Sequence, residues 1–379
     1  MKILLTIHHE LDPNAGAPGS VIQLAQAYEK LGHSVDLYGF DQLPSWAKAG
    51  SSELVFPQFL AAYLVKHSHR YDVVDTSTGD VWLWGSVLRW PYRRTPLLVT
   101  RSHGLEHTVH LQYLADVKQG KQHRSWKYPL YRGGFHLWEV AQSLRCADLA
   151  FLLNQLDLKY TVETLGVNPD RAFVTHDGIP ESFLHRPLNL DTSGEDLRIV
   201  QIGTYIARKG IQYSVPALNA VLARHPHVQL TLLGTDCPPA KVLADFDAAL
   251  GDRIQVIPWF DHQQLPELLK DHHIKLFTPL SEGFGKVLVE AMALGLAPVT
   301  TAASGPLEVV TAEHDALVVP IGDSQAIEQA LERLICDRSL LNTIRRQAYI
   351  TAQGFGWSTL AQQRLDIYQT ALTQRSRPQ

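Results

Sequence analysis

The chain has 379 residues, 45% of them hydrophobic and 19% charged, which is ordinary globular material and enough for more than one packed core. Its formal net charge of −4 lacks the basic excess of a dedicated nucleic-acid binder, so nucleic acid is excluded as a partner. Three scattered cysteines, Cys146, Cys237 and Cys336, form no metal or redox motif and fit free thiols in a reducing, cytoplasmic compartment.

The opening apolar run is too short for a signal peptide and predicts a first strand, Lys2–Ile7. No stretch is long enough to cross a bilayer. The loop Asn14 to Ser20 then leads into a helix over Val21–Leu31, and it reads equally as an anion-binding loop around Gly16 or as a plain turn. Further strands are predicted at Ser34–Tyr38, Asp72–Asp75, Leu97–Arg101, Asp148–Leu152 and Ala172–Thr175, with a helix at Phe135–Arg145. The polar, aperiodic segment Leu188–Asp196 reads as a linker. The pattern restarts with strands at Arg198–Ile202, Gln229–Leu233, Ile254–Ile257, Ile274–Phe277, Ala297–Thr300 and Ala316–Val319. Helices are predicted at Ile211–Arg224, Ala240–Ala249, Leu265–Lys270, Lys286–Leu294 and Gln325–Cys336. Such alternation implies an α/β fold of two doubly wound parallel sheets, one on each side of the linker.

Three loop segments carry chemistry. Glu282-Gly283-Phe284-Gly285-Lys286 joins a buried strand to a helix that carries a second carboxylate, Glu290, one turn inside it. Loops at the carboxyl ends of parallel strands bind ligands, and a helix start favours phosphate. Gly203 to Gly210 places Thr204, Arg208 and Lys209 at another strand-to-helix junction, where cations offset a leaving group's charge. Arg101-Ser102-His103-Gly104-Leu105-Glu106-His107 puts His103 just after a strand. The same letters satisfy an inverted zinc-protease pattern, but Gly104 opposes the helix which that reading needs.

The segment Glu282 to Glu290 resembles the E-x7-E motif of family 4 retaining glycosyltransferases, which have the GT-B fold. The resemblance implies two facing Rossmann-like domains with a deep cleft between them and a C-terminal crossover helix. The first domain would be 1–187, joined by the returning segment 357–379, and the second 197–356. It also implies that Lys209 and Arg208 clamp the donor diphosphate, that Glu282 and His103 position the donor sugar, and that Glu290 holds the ribose. Gly16, Gly203, Phe284, Gly285 and Lys286 line the donor in the family. Thr204 stands where the family commonly has an arginine. Trp259 follows the strand that holds the base, so stacking on the base and core packing both stay open. The implied reaction moves a sugar from a nucleoside-diphosphate sugar to an acceptor hydroxyl, with no cofactor and no metal. Another GT-B enzyme, such as an epimerase or phosphorylase, or a non-catalytic GT-B protein is the alternative.

From Arg89 to Arg145 the sequence holds ten Lys/Arg against three Asp/Glu. With the aromatics from Trp82 to Trp138, this stretch reads in two ways. One is a patch for an anionic, saccharide or lipid-linked acceptor, or for the inner face of an anionic membrane. The other is a solvated surface over buried aromatics.

Overall fold

The structure, a computed structural model, describes residues 1–48, 52–89, 95–118, 120, 124–190 and 196–376. Part of the expected linker (191–195), Trp90, Tyr92, Arg93, Arg94 and Lys121 of the basic stretch, and residues 377–379 lie outside the described residues. The chain divides into two units, Met1–Gly178 with Trp357–Gln379, and Ile179–Gly356.

The first unit is a parallel sheet of β1 (Lys2–Thr6), β2 (Ser34–Tyr38), β3 (Val73–Ser77), β4 (Leu97–Arg101), β5 (Leu149–Leu152) and β6 (Ala172–Val174), in the order β2-β1-β3-β4-β5-β6. Every residue of β3, β4 and β5 is buried, as expected of parallel strands covered on both faces. The helices are α1 (Gly16–Lys30), α2 (Ser52–His67), α3 (Glu106–Lys118), α4 (His136–Cys146) and α5 (Gln155–Glu163). The C-terminal helix, Trp357–Ser376, also belongs to this unit. Its residues Trp357, Ala361, Leu365 and Tyr368 recur at helical spacing and bury against Leu24, Ala25 and Tyr28 of α1. Tyr368 donates to Asp75 Oδ2 at 2.6 Å, and the buried Arg364 donates to the carbonyl of His176 at 2.8 Å. Each large apolar side chain buried there contributes about 1.5–3 kcal/mol.

The second unit repeats the plan with β7 (Leu197–Ile202), β8 (Val228–Leu233), β9 (Ile254–Ile257), β10 (Ile274–Phe277), β11 (Ala297–Thr301) and β12 (Leu317–Val319), in the order β12-β11-β10-β7-β8-β9. Its helices are α6 (Ile211–Arg224), α7 (Pro239–Leu243), α8 (Leu265–Leu269), α9 (Lys286–Ala293), α10 (Ser304–Leu307), α11 (Ser324–Cys336) and α12 (Arg338–Ala352). In both sheets the strand order reverses once, between β1 and β3 in the first and between β7 and β10 in the second. Doubly wound sheets open a crevice at such a reversal.

Two expectations change. The first unit ends at Gly178, before the expected residue 187. Ile179 donates to the carbonyl of Phe355, and Phe183 and Leu184 are buried within the second unit, so this stretch packs with it. The helix expected at Ala240–Ala249 stops at Leu243, and a short 3-10 turn, Ala248–Arg253, follows instead.

Candidate functional site

The loops that follow β7 and β10 meet at the strand reversal of the second unit. Gly203 turns out of β7 with φ of +132°, and Gly210 closes the loop with φ of +75°. A Cβ on Gly210 would lie 1.9 Å from the carbonyl oxygen of Thr278, so only glycine fits. Leu280 donates its amide to the carbonyl of Arg208 at 2.9 Å, and Thr278 Oγ1 donates to the carbonyl of Lys209 at 3.2 Å. These bonds fasten the two loops together and fix the basic pair.

Lys209 Nζ lies 2.5 Å from Glu282 Oε2, and Arg208 Nη1 lies 3.8 Å from the same oxygen. Arg208 also donates to the carbonyl of Ser281 at 3.3 Å. Two of the expected site residues therefore converge on one carboxylate oxygen of a third, Glu282. Thr204 is exposed beside them. Gly285, with φ of +97°, caps α9, and Lys286 is the first helical residue. A helix start leaves amide groups free to face an anion. A Cβ on Gly305 would sit 2.6 Å from both the carbonyl of Glu282 and the amide of Phe284, so α10 also supports this turn.

Glu290 is buried one helical turn inside α9, and its Oε1 pairs with His262 Nε2 at 2.8 Å. The His262 ring stacks on Phe183 with centroids 5.4 Å apart. The Phe284 ring is buried and packs near Phe355. Trp259 is 70% exposed, so core packing, one of its two expected roles, does not occur.

His103 belongs to the first unit. It is half-buried after β4, with Nε2 3.3 Å from Ser77 Oγ. Burial, and then the Arg101 guanidinium, hold it well below the usual histidine range, so the imidazole is neutral at pH 7. Helix α3 starts only at Glu106, whose Oε1 accepts from Thr78 Oγ1 at 2.7 Å, while the His107 ring lies 5.8 Å from Tyr160. The zinc-protease pattern, which needs both imidazoles on one helix, is therefore not assembled. Gly16 starts α1 and is exposed, with nothing near a built Cβ, whereas Gly19 is the glycine the loop requires, 2.6 Å from the Pro13 carbonyl.

Sequence reasoning missed a pair at the first unit's own strand reversal. His8 follows β1, Asp80 follows β3, and His8 Nδ1 lies 2.7 Å from Asp80 Oδ1. Burial opposes charge on His8, but Asp80 and then Glu106 outweigh it and raise it to about 9. The pair borders a cavity of about 540 Å³ lined also by Glu53, Glu106, Arg132 and Glu139. His8, His9 and Glu10 in a row were the visible signal, but Asp80 is far away in sequence.

The described residues of the basic stretch do not form one patch. Arg101 is buried and donates to Asp75 Oδ1 at 3.1 Å. Trp84 is fully buried, while Trp126, Leu130 and Trp138 are exposed. Arg89 and Arg145 line a different cavity from Arg132. The reason is that the stretch runs through β4, α3 and α4, whose side chains leave the sheet in different directions. Among the described residues no helix is long and apolar enough to cross a membrane.

Residues 189–351 match the family model described as glycosyl transferases group 1. A phosphatidylinositol N-acetylglucosaminyltransferase component from Arabidopsis thaliana is 25% identical over 95% of this chain and 80% of that protein. The sucrose-phosphate synthase structure from Thermosynechococcus elongatus superposes with a TM-score of 0.76 at 21% identity, over 98% of this chain and 99% of that one. The Anabaena protein Alr3699/HepE, solved with UDP-glucose, gives a TM-score of 0.70 at 19% identity, over 98% of this chain and 100% of that one.

Proposed function

We propose that this chain, which belongs to the group 1 glycosyl transferases and has the GT-B fold, moves a sugar from a nucleoside-diphosphate sugar to an acceptor hydroxyl with retention of configuration. The observation that carries this reading is the convergence of Lys209 and Arg208 on Glu282 at the start of α9. Glu282 balances both cations. A diphosphate arriving at Lys209 and Arg208 takes over that balance and frees Glu282 to accept from hydroxyls of the donor sugar.

The bond from the sugar's anomeric carbon to the diphosphate oxygen breaks, and the acceptor oxygen bonds to that carbon on the same face. The acceptor's proton passes to the departing phosphate. Charge develops on the diphosphate as it leaves, where preorganised cations and helix-start amides act most strongly. This supply of positive charge makes a metal unnecessary. Glu290, steadied by His262, accepts from the ribose hydroxyls. Gly203 lets the backbone approach the phosphates, and the exposed Trp259 offers a face to the base. Support for a uridine nucleotide comes from the UDP-glucose bound by the Anabaena protein. The neutral His103 of the first unit suits a hydrogen bond to a sugar hydroxyl.

The first unit's 540 Å³ cavity is read as the acceptor site. Four carboxylates line it beside His8 and Arg132, which suits the hydroxyls of a saccharide better than a phosphate. Val109, which also lines it, is exposed, as are Leu111, Trp126 and Leu130. With Arg124, Lys127 and Arg132 close in sequence, these side chains suit peripheral contact with an anionic membrane, and hence a lipid-linked acceptor.

The test is release of nucleoside diphosphate from a panel of nucleotide sugars, followed by mass spectrometry in the presence of saccharide acceptors. Lys209→Ala should lower kcat by roughly 10²–10³-fold while the melting temperature stays near that of the native chain. Unchanged turnover in Lys209→Ala and Glu282→Ala would overturn the site.

A further inference from the structure

A second cavity of the first unit, about 590 Å³, opens at the other edge of the sheet, by the amino ends of β4, β5 and β6. Thr95 precedes β4, Asp148 precedes β5 and Arg171 precedes β6, and all three line it. Arg89, Arg145 from α4 and Arg375 from the C-terminal helix complete a ring of four guanidiniums. Asp148 is the single carboxylate of the lining. It takes Arg89 at 2.5 Å and Arg375 at 3.2 Å, and also accepts the Leu98 amide at 2.8 Å. One carboxylate is therefore shared between two guanidiniums and a backbone amide.

The other two arginines have no carboxylate partner among the described residues. Arg145 uses its Nε on the carbonyl of Leu165 at 2.8 Å, which orients its terminal nitrogens, and Arg171 is exposed. The Cys146 thiol, pushed up to about 11 by burial, contributes no negative charge. Burial, and then Arg89 and Arg171, press Arg375 below the usual arginine range against the pull of Asp148. Four cations around one anion leave three positive charges without an internal counter-charge. Ser86, Thr95 and Gln142 add neutral donors to the same wall. Planar guanidiniums match phosphate oxygens two at a time, which lysines do not.

We propose that this arginine-lined cavity is an anion site, separate from the sugar-transfer site, that takes a phosphate monoester dianion. Bound there, the phosphate joins Arg375 of the C-terminal helix to Arg89, Arg145 and Arg171 on the sheet side. It therefore steadies the packing of that helix on the first unit. The same group could arrive on a soluble phosphorylated metabolite or on a phospholipid headgroup.

The test uses the full chain carrying Lys209→Ala, so that the diphosphate clamp does not contribute. Glycerol 3-phosphate is titrated by calorimetry at constant ionic strength. Co-sedimentation with phosphatidylcholine vesicles, with and without phosphatidic acid, forms the second arm. Saturable binding in either arm is expected, and the double variant Arg145→Ala/Arg171→Ala should weaken it at least about tenfold. Binding of the soluble ester alone assigns a metabolite, and binding of phosphatidic acid vesicles alone assigns a headgroup. Both variant positions are exposed, so the fold should persist, and an unchanged melting temperature without ligand checks this. No binding in either arm, or equal binding with and without Arg145 and Arg171, overturns the proposal. Either result leaves the sugar-transfer reading untouched, because that reading rests on the second unit.

Discussion

Replacing Lys275 by methionine should make the protein more stable, and the gain should depend on pH in a defined way. Lys275 sits in β10 with no exposed surface, and its Nζ has no hydrogen-bond partner among the described residues. Its lateral neighbours in the sheet are Val200 and Pro298, and its Nζ lies 5.6 Å from the centre of the Phe277 ring. Burial, and then Lys209, lower its proton affinity well below the usual lysine range, and Glu290 opposes this only in part. The unfolded chain therefore binds a proton that the folded chain does not. Between the folded value and about 10.5, native stability rises with pH by roughly 1.4 kcal/mol per unit. A methionine has no such titration, so the advantage of Lys275→Met is largest near neutral pH and shrinks toward pH 10.5. What remains there is the cost of an unpartnered buried amine, about 1–3 kcal/mol. Hydrogen exchange of the β10 amides, followed by mass spectrometry from pH 7 to pH 10 and corrected for intrinsic rates, reads the difference within the second unit. A variant less stable than the native chain at pH 7, or a gain that does not shrink with pH, would mean that Lys275 is charged and compensated in the fold.

Three further outcomes follow from particular contacts. Because Asp80 raises His8 to about 9, the pair stabilises fully below pH 6.5 and loses that contribution as pH rises to 9; Asp80→Asn should flatten the slope of unfolding free energy across this window, by on the order of 2–3 kcal/mol in total, measured by urea titration. Gly210→Ala puts a Cβ against the Thr278 carbonyl at a left-handed backbone position, so it should cost at least about 3 kcal/mol and weaken nucleotide binding by calorimetry. Tyr368→Phe removes the buried bond to Asp75 and should lower stability by about 1.5–3 kcal/mol, with hydrogen exchange increasing in the C-terminal helix.

The central strands were legible because they are covered on both faces. Val73–Ser77 and Leu97–Arg101 have no exposed residue, and each opens with consecutive apolar residues before its buried polar end. Apart from the four-residue α10, four helices were not read, for separate reasons. Helix α2 is apolar on every side and contains Pro57, so no stripe marks it. Helix α3 keeps most of its side chains only partly covered. Helix α5 is short, and its start is fixed by the Asn154 side chain accepting from Asp157. Helix α12 buries Arg345, whose guanidinium donates to the carbonyls of Gly295 and Asn189 at 2.7 Å each. A charged residue therefore takes one place in an inward stripe that otherwise keeps helical spacing through Leu341, Ile344 and Ala348.

The acidic and basic halves of the second unit's site were legible for a different reason. Each lies on one short loop held by glycines at positive φ (Gly203 and Gly210 in one, Gly285 in the other), so local sequence carries the geometry. What remained hidden depends on pairs that are far apart in the chain. His262 reaches Glu290 across 28 positions, and His8 reaches Asp80 across 72. Neither histidine belongs to a motif, and the chain has 18 of them. The strand that carries Lys275 was legible as buried, but the lysine within it belongs to no motif and carried no signal of its own. It lies in the interior of the sheet between β7 and β11, beneath the two loops that carry Lys209 and Glu282. The second unit therefore keeps an uncompensated amine close to the place where a diphosphate would bring negative charge. Such an arrangement costs stability in the empty protein and loses part of that cost when an anion is bound.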